Sequence, residues 1–521
     1  MSAGFKLTYS TMFDPPPELH SKFDAAVAHV TGQVGIEHGL LIAGEDRRSA
    51  RGFDKHSPID ARQLLGRFQD ASAADVDAAV TAARHAWPDW AARPWQDRVG
   101  LLRRAARLIE DRVYAISAAL AMEVGKNRME ALGEVQETAD LIYWYCDQME
   151  ANGGFDKILP NDPLTEWVSR NRTVLKPYGV WAVIAPFNFP MALAGGPAGA
   201  ALVTGNTVVI KAPSAAPWAL RLFAEAMRDS GLPDGVFNYL TGGGGTTGEA
   251  LVKHPDVAGI TFTGSYTAGM SILRGYAGGR WPRPCIAEMG GKNAVIVTRH
   301  ADLDRAATGI VRSAFGLSGQ KCSACSRVIV EAQVASALVE RLVVATRLLK
   351  VGDPLQRENW MGPVISAASQ RNYHRAVDDL RRQGEILIGG EAPSGLSHGH
   401  FVAPTFARVA FDHPLWSEEL FLPLALVGEV GSLDEAIGRA NSSDFGLTAG
   451  FYGAESEIPE FLSRIEAGVT YVNRPQGATT GAWPGYQPFG GWKGSGSTGK
   501  AIGSFYYLPQ YLREQSQTVV A

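Results

Sequence analysis

The sequence predicts an α/β protein made of two parallel-sheet domains, with a β arm outside both. Three observations carry this. Between residues 179 and 263, β-prone runs that are apolar throughout alternate with helical stretches, the pattern of strands covered on both faces by crossover helices. A second series of the same kind starts at Ala294. Finally, the stretches 163–178 and 505–520 have β character and no helical neighbour to pack against.

The elements follow in order. Residues 1–70 are rich in proline and glycine and read as irregular, with Pro15-Pro16-Pro17 arguing against an early helix. After Ser72, a plausible cap, Val76, Ala79, Val80, Ala83 and Trp87 recur at helical spacing. Further helices are expected over 95–120 and 128–149, with the charges on their outer faces read as solvated surface. The first alternating series has strands at 180–186, 207–211, 236–240 and 260–263 and helices at 195–204, 218–230 and 246–254. The second has strands at 294–298, 327–330, 424–430, 449–452 and 469–473, and helices at 302–315 and 333–349. The implied domains are 1–158 with 179–287, then 288–499, with 159–178 and 500–521 as arm and tail.

A chain of 521 residues exceeds what one core supports. Its composition, 45% hydrophobic and 20% charged, is that of a soluble globular protein. A net charge of −4 without any basic stripe gives nucleic acid no electrostatic footprint. Four cysteines do not make a disulfide framework and point to a reducing, cytoplasmic setting. Cys322-x-x-Cys325 has no second pair to complete a zinc site, so no metal is expected; a redox dithiol stays open. The N-terminus lacks the pattern of a signal peptide. The most apolar stretch, 180–210, is interrupted by Pro186, Asn188, Pro190, Pro197 and Asn206 and makes a poor membrane span.

Chemistry gathers on loops. Cys322 lies in a glycine- and serine-rich loop between a helix and a strand, a setting for a nucleophile, although cysteine is as often a small buried hydrophobe. The run Thr241-Gly242-Gly243-Gly244-Gly245-Thr246-Thr247-Gly248 contains G-x-G-x-x-G without the acidic residue expected some 20 positions on. Thr263-Gly264-Ser265 ends a strand and opens a helix, whose N–H groups suit a phosphate. Asn188 follows an apolar strand among prolines and phenylalanines, where it either satisfies loop backbone or faces a site. Lys211 ends a strand, and Glu288 precedes two glycines as a cap or a general base.

Together these motifs resemble the aldehyde dehydrogenase superfamily from about residue 40 onward. The matching pieces, in the family's order, are Pro186-Phe187-Asn188-Phe189-Pro190, Val209-Ile210-Lys211, Phe262-Thr263-Gly264-Ser265, Glu288-Met289-Gly290-Gly291-Lys292, Gly319-Gln320-Lys321-Cys322, Glu418-Glu419-Leu420-Phe421 and Pro488-Phe489-Gly490-Gly491. The resemblance implies a nucleotide-binding domain, a catalytic domain and an arm bridging the subunits of a homo-oligomer. It implies Cys322 as nucleophile, Asn188 with the Cys322 N–H as oxyanion hole, and Glu288 as the base that releases an acid. It places Pro186, Lys211, Ser214, Gly264, Ser265, Glu419 and Phe421 on NAD. Ser214, where strictly NAD-using members often carry glutamate, leaves NADP open. Leu422 stands where the family usually has glycine.

Gly319 to Arg327 is most similar to the Δ1-pyrroline-5-carboxylate (L-glutamate γ-semialdehyde) dehydrogenase branch, as is Thr480-Gly481-Ala482 with the later Gln487-Pro488-Phe489. That branch implies Ser323, Gly481 and Ala482 on the substrate's α-carboxylate and Phe189 on its aliphatic part. The loop 473–480 is longer than the branch's, and Trp483, Tyr486 and Trp492 add aromatic bulk. An apolar or aromatic aldehyde is therefore the alternative substrate. A non-catalytic relative is disfavoured because Cys322, Glu288 and Asn188 are all present.

Overall fold

The structure, a computed structural model, describes residues 5–9, 11–12, 15–163, 166–475 and 483–520. Two seven-stranded sheets organise it. In the first, the order is Cys285–Glu288, Val257–Thr263, Val180–Ile184, Thr207–Lys211, Phe237–Leu240, Leu40–Ile42, Glu45–Arg47. The first five strands are parallel and the last two are antiparallel additions. Val180–Ile184 is buried residue for residue, as expected where helices cover both faces.

Chain order runs outward from Val180–Ile184 to one side, then returns to Val257–Thr263 on the other. The crevice where this order reverses, at the carboxyl ends of the strands, is where open parallel sheets bind ligands. The second sheet runs Glu385–Ile388, Thr405–Arg408, Leu424–Val430, Cys325–Glu331, Asn293–Val297, Thr448–Tyr452, Val469–Val472, parallel except for its first strand. Only four residues separate Glu288, at the carboxyl end of one sheet, from Asn293, at the amino end of the other. The site lies at that junction.

Several sequence expectations need correction. Residues 1–70 are not irregular: a helix spans Pro17–Thr31 and five short strands follow. Pro17 occupies the first helical position, where its missing N–H costs nothing and its fixed φ suits the helix. Leu19, Phe23 and Val30 bury that helix's inner face. The helix expected over 95–120 is two, Trp95–Asp111 and Val113–Val124, broken at Arg112 (φ −101°, ψ 10°). Helices at Ala367–Gln383 and Leu433–Asn441 were not expected, their polar residues masking the apolar face. The helix Arg128–Ala151 carries Glu130 and Glu134 buried, contrary to the reading of such charges as solvated.

The arm is three-stranded: Ser169–Pro177 pairs with Leu512–Val520 along its whole length and with Asp156–Leu159 on the other edge. It leaves Ile158, Trp167, Val168, Val519 and Val520 exposed. Among the described residues, no helix is long and apolar enough to cross a membrane, and no cluster of three or more His, Cys, Asp or Glu suits a metal.

Candidate active site

The loop that delivers Cys322 is fixed from several directions. Leu317, Ser318 and Gly319 are all left-handed (φ 48°, 54° and 67°), an arrangement that persists only where surroundings over-determine it. They do here. Ser318 donates to the Gly362 carbonyl at 2.7 Å, Ile365 N–H donates to Gln320 Oε1 at 2.8 Å, and Lys321 Nζ donates to Glu130 Oε1 at 2.7 Å. Glu130 also accepts the Leu317 N–H, so one buried carboxylate holds both ends of the turn. Asn293 Nδ2 bridges the Cys322 and Ala324 carbonyls at 2.7 and 2.9 Å. Gly291 lies against this loop, since a Cβ there would stand 2.4 Å from the Cys322 carbonyl oxygen.

Burial, then Glu419 and Glu288, push the Cys322 thiol up to about 12, while the N–H groups of Ser323 and Cys322 itself favour the thiolate. Glu288 ends its strand beneath that loop. Burial raises its carboxyl to about 8 against one N–H from Gly491, and its Oε2 is buried with no partner among the described residues. A carboxyl that titrates near neutrality, with one oxygen unpartnered among the described residues and near enough to the Cys322 thiol to raise it, is suited to taking a proton. Asn188 is buried just beyond Val180–Ile184, and among the described residues nothing hydrogen-bonds its carboxamide. Cys325, by contrast, packs in the apolar cluster around Phe315 and Val328, and its thiol donates to the Arg327 carbonyl at 3.7 Å.

Cys322 opens into a pocket with Ser323, Phe189, Lys321, Phe489 and Ile502, so Phe189 and Ser323 are brought to the nucleophile. Gly481 and Ala482 lie outside the described residues. Three groups in or behind this wall had no reading from the sequence. Tyr9 and Glu137 line the pocket, joined by a 2.7 Å hydrogen bond from the Tyr9 hydroxyl. Behind Phe189, Lys126 Nζ sits 3.4 Å from its ring centroid and pairs with buried Glu134. Glu134 also accepts the Met191 and Ala192 N–H groups, closing the uncapped start of helix Ala192–Val203. Glu130, Glu134 and Glu137 at i, i+4 and i+7 share one helix face, where like charges repel unless partnered; that spacing was the available signal. Trp483 is buried against Tyr9 and donates to Asp140, whereas Tyr486 and Trp492 are exposed.

The other side of the junction suits a dinucleotide. Lys211 is buried at the carboxyl end of its strand, its ammonium unpartnered among the described residues, and burial lowers it to about 8. Such a group calls for an acceptor from outside the chain. Ser265 caps helix Tyr266–Ala277 through the Ala268 N–H, leaving its hydroxyl proton and the helix's first amides free for an anion. Glu419 accepts the Gly291 N–H at 2.8 Å and retains acceptor capacity. Phe421, left-handed at φ 58°, meets Phe187 edge to face just past Pro186. Gly264 donates its N–H to the Glu288 carbonyl. Ser214 donates to the Gly242 carbonyl at 2.9 Å, so its hydroxyl closes the loop onto the glycine-rich turn. Leu422 packs into the second sheet's core, which absorbs that departure.

The aldehyde dehydrogenase family model matches residues 45–516. The 1-pyrroline-5-carboxylate dehydrogenases of Geobacillus thermodenitrificans and Bacillus subtilis are each 36% identical, over 504 and 503 residues, covering 95% of this chain and of theirs. The crystal structure of 1-pyrroline-5-carboxylate dehydrogenase from Thermus with bound NAD matches all of both chains, with a TM-score of 0.92 at 33% identity.

Proposed function

Because the chain belongs to the aldehyde dehydrogenase family, we propose that it oxidises L-glutamate γ-semialdehyde to L-glutamate with NAD through a thioester on Cys322. The observation that carries the reading is the Cys322 thiol with Glu288 near enough to raise it, one Glu288 oxygen being unpartnered among the described residues, and Asn188 buried one residue before pocket-lining Phe189.

The Cys322 thiolate attacks the carbonyl carbon, forming a C–S bond and moving the C=O pair onto oxygen. The Asn188 carboxamide and the Cys322 N–H donate to that alkoxide. When bound, NAD supplies the hydride acceptor that makes this an oxidation. Lys211 and Glu419 would hold ribose hydroxyls, with Ser265 and Gly264 at the pyrophosphate and Pro186 and Phe421 beside the nicotinamide end. Ser214, spent on Gly242, presents no carboxylate to an adenosine phosphate, so NADP remains a second cofactor to assay. Loss of hydride leaves a thioester on Cys322. Glu288 then removes a proton from water, whose oxygen attacks the acyl carbon; the C–S bond breaks and the acid leaves.

For the substrate, Ser323 would donate to the α-carboxylate and Phe189 would cover the methylenes, with Gly481 and Ala482 as the further carboxylate donors. The support is the similarity to enzymes named for this chemistry. The second reading, a larger apolar aldehyde, is favoured by the walls Leu141, Leu193, Phe489 and Ile502. Initial rates of NADH and NADPH formation with glutamate γ-semialdehyde, hexanal and benzaldehyde decide between them. Preference for the semialdehyde is expected; preference for hexanal or benzaldehyde transfers the function to the second reading. The exposed apolar residues of the arm support a homo-oligomer, and four unpaired cysteines support a cytoplasmic setting.

A further inference from the structure

Tyr9 reaches the pocket from a segment with no regular structure, and it is held there by more than contact. Its hydroxyl donates to Glu137 Oε2 at 2.7 Å. Its ring meets Trp483 edge-on at 5.3 Å and Phe189 at 6.5 Å. Beneath it, Gly133 provides a bare stretch of helix: a Cβ there would stand 2.8 Å from Tyr9 Cε1. Lys6 pairs with Asp140 at 2.9 Å, and Asp140 accepts the Trp483 indole N–H at 2.8 Å, so the segment and the chain around Trp483 are tied to one carboxylate. Tyr9, Met12 and Trp483 form a separate small apolar cluster beside the pocket, against which Phe189 packs.

We propose that Tyr9 is a specificity-determining residue: its ring is a wall of the aldehyde pocket that sets the size of the side chain admitted, held in place by Glu137 and by the bare face at Gly133. Glu137, Leu141, Ala192 and Leu193 reach the pocket from helices of the core, whereas Tyr9 reaches it from a segment tied down by its hydrogen bond to Glu137, the Lys6–Asp140 ion pair and its ring contacts. The proposal rests on the reading that Cys322 opens into this pocket to meet the aldehyde. It does not depend on which aldehyde is physiological.

The test is kcat/KM for NADH formation along the unbranched series butanal, hexanal, octanal, for the full chain and for Tyr9→Ala and Gly133→Ala. Tyr9→Ala removes the wall. Gly133→Ala leaves Tyr9 in the chain but displaces its ring through the new methyl, and alanine in mid-helix favours folding. One methylene in an apolar pocket is worth about 10- to 200-fold. The octanal-to-butanal ratio of kcat/KM is therefore expected to rise by about tenfold or more in Tyr9→Ala and in the same direction in Gly133→Ala. Length profiles that superimpose in all three proteins overturn the proposal. A parent inactive on glutamate γ-semialdehyde removes the substrate reading alone, because the unbranched series still reports on Tyr9.

Discussion

The backbone N–H of Gly264 donates to the carbonyl oxygen of Glu288 at 3.1 Å. One ladder bond thus ties the loop that opens the helix at Ser265 to the residue that carries the free carboxyl oxygen. Base and cofactor loop are adjacent because Val257–Thr263 and Cys285–Glu288 are neighbouring parallel strands in register, Thr263 opposite Glu288. Whatever displaces one displaces the other.

Cys322→Ala is expected to lower turnover by about 10⁴-fold or more while NAD binding, followed by fluorescence quenching, stays within about twofold. Glu288→Gln separates the two half-reactions. It should form one equivalent of NADH per site in a burst and then stall, because deacylation has lost its base. A Glu288→Gln protein with full steady-state turnover would place the base elsewhere.

The pH profile follows from the same carboxyl. Burial raises Glu288 to about 8, so the proton-accepting form is the minority at pH 7 and dominates above 8. The step after the burst should accelerate about tenfold per pH unit below 8 and level off above it. This rise should vanish in Glu288→Gln. The burst itself also rises with pH, but by way of the Cys322 thiol, which burial holds near 12. Stopped-flow traces resolve the two phases.

Gly291→Ala tests the close approach at the junction. Its Cβ would meet the Cys322 carbonyl at 2.4 Å and Asn293 Oδ1 at 2.8 Å, and the nearer of these is backbone that cannot swing aside. Moving a nucleophile by an ångström costs about 100-fold, so kcat should fall by about that factor, with a loss of stability of about 1–3 kcal/mol from the overpacking. Unchanged kcat would mean that the loop yields without consequence for Cys322.

Much of this was legible in the sequence because the motifs lie where strand ends meet loops, and strand ends are marked by apolar runs stopping at glycine, proline or a polar residue. Pro186, Lys211 and Gly264 were placed that way, whereas Glu288 was read only as preceding two glycines, its strand Cys285–Glu288 not being expected. What escaped has a common cause. Glu130 and Glu134 are buried and Glu137 half-buried on a helix whose apolar and polar residues do not separate into clean faces, so a solvated face was the natural reading. Tyr9 belongs to no periodic element, and its partner is 128 positions away. The helix Pro17–Thr31 was lost by reading proline as a breaker where its position makes it a starter.

Lys126 and Glu134 form an ion pair with both side chains fully buried. Removing one partner from such a pair typically costs about 3–5 kcal/mol. Lys126→Met should destabilise by that amount in urea unfolding. The double variant Lys126→Met, Glu134→Gln should recover part of it, since the glutamine oxygen still accepts the Met191 N–H. A single variant as stable as the parent would show that Glu134 is already neutral in the folded chain.

The arm makes the last prediction, and the core dictates where to cut. Tyr507 stacks on Tyr145, and the Tyr511 hydroxyl bonds with Thr261, so truncation before residue 511 would damage the first domain itself. Ending the chain after Leu512 instead removes residues 513–521, which carry the arm strand as far as Val520. That exposes the free edge of Ser169–Pro177, whose other edge pairs with Asp156–Leu159, and takes away Val519 and Val520 from the exposed apolar set. The unpaired eight-residue edge from Ser169 to Lys176 seeks another chain. If the arm joins subunits, light scattering should show loss of the parent's assembly, by dissociation or by aggregation through that edge, while the circular dichroism of the domains persists. An unchanged oligomer in the truncated protein would place the subunit interface elsewhere on the surface.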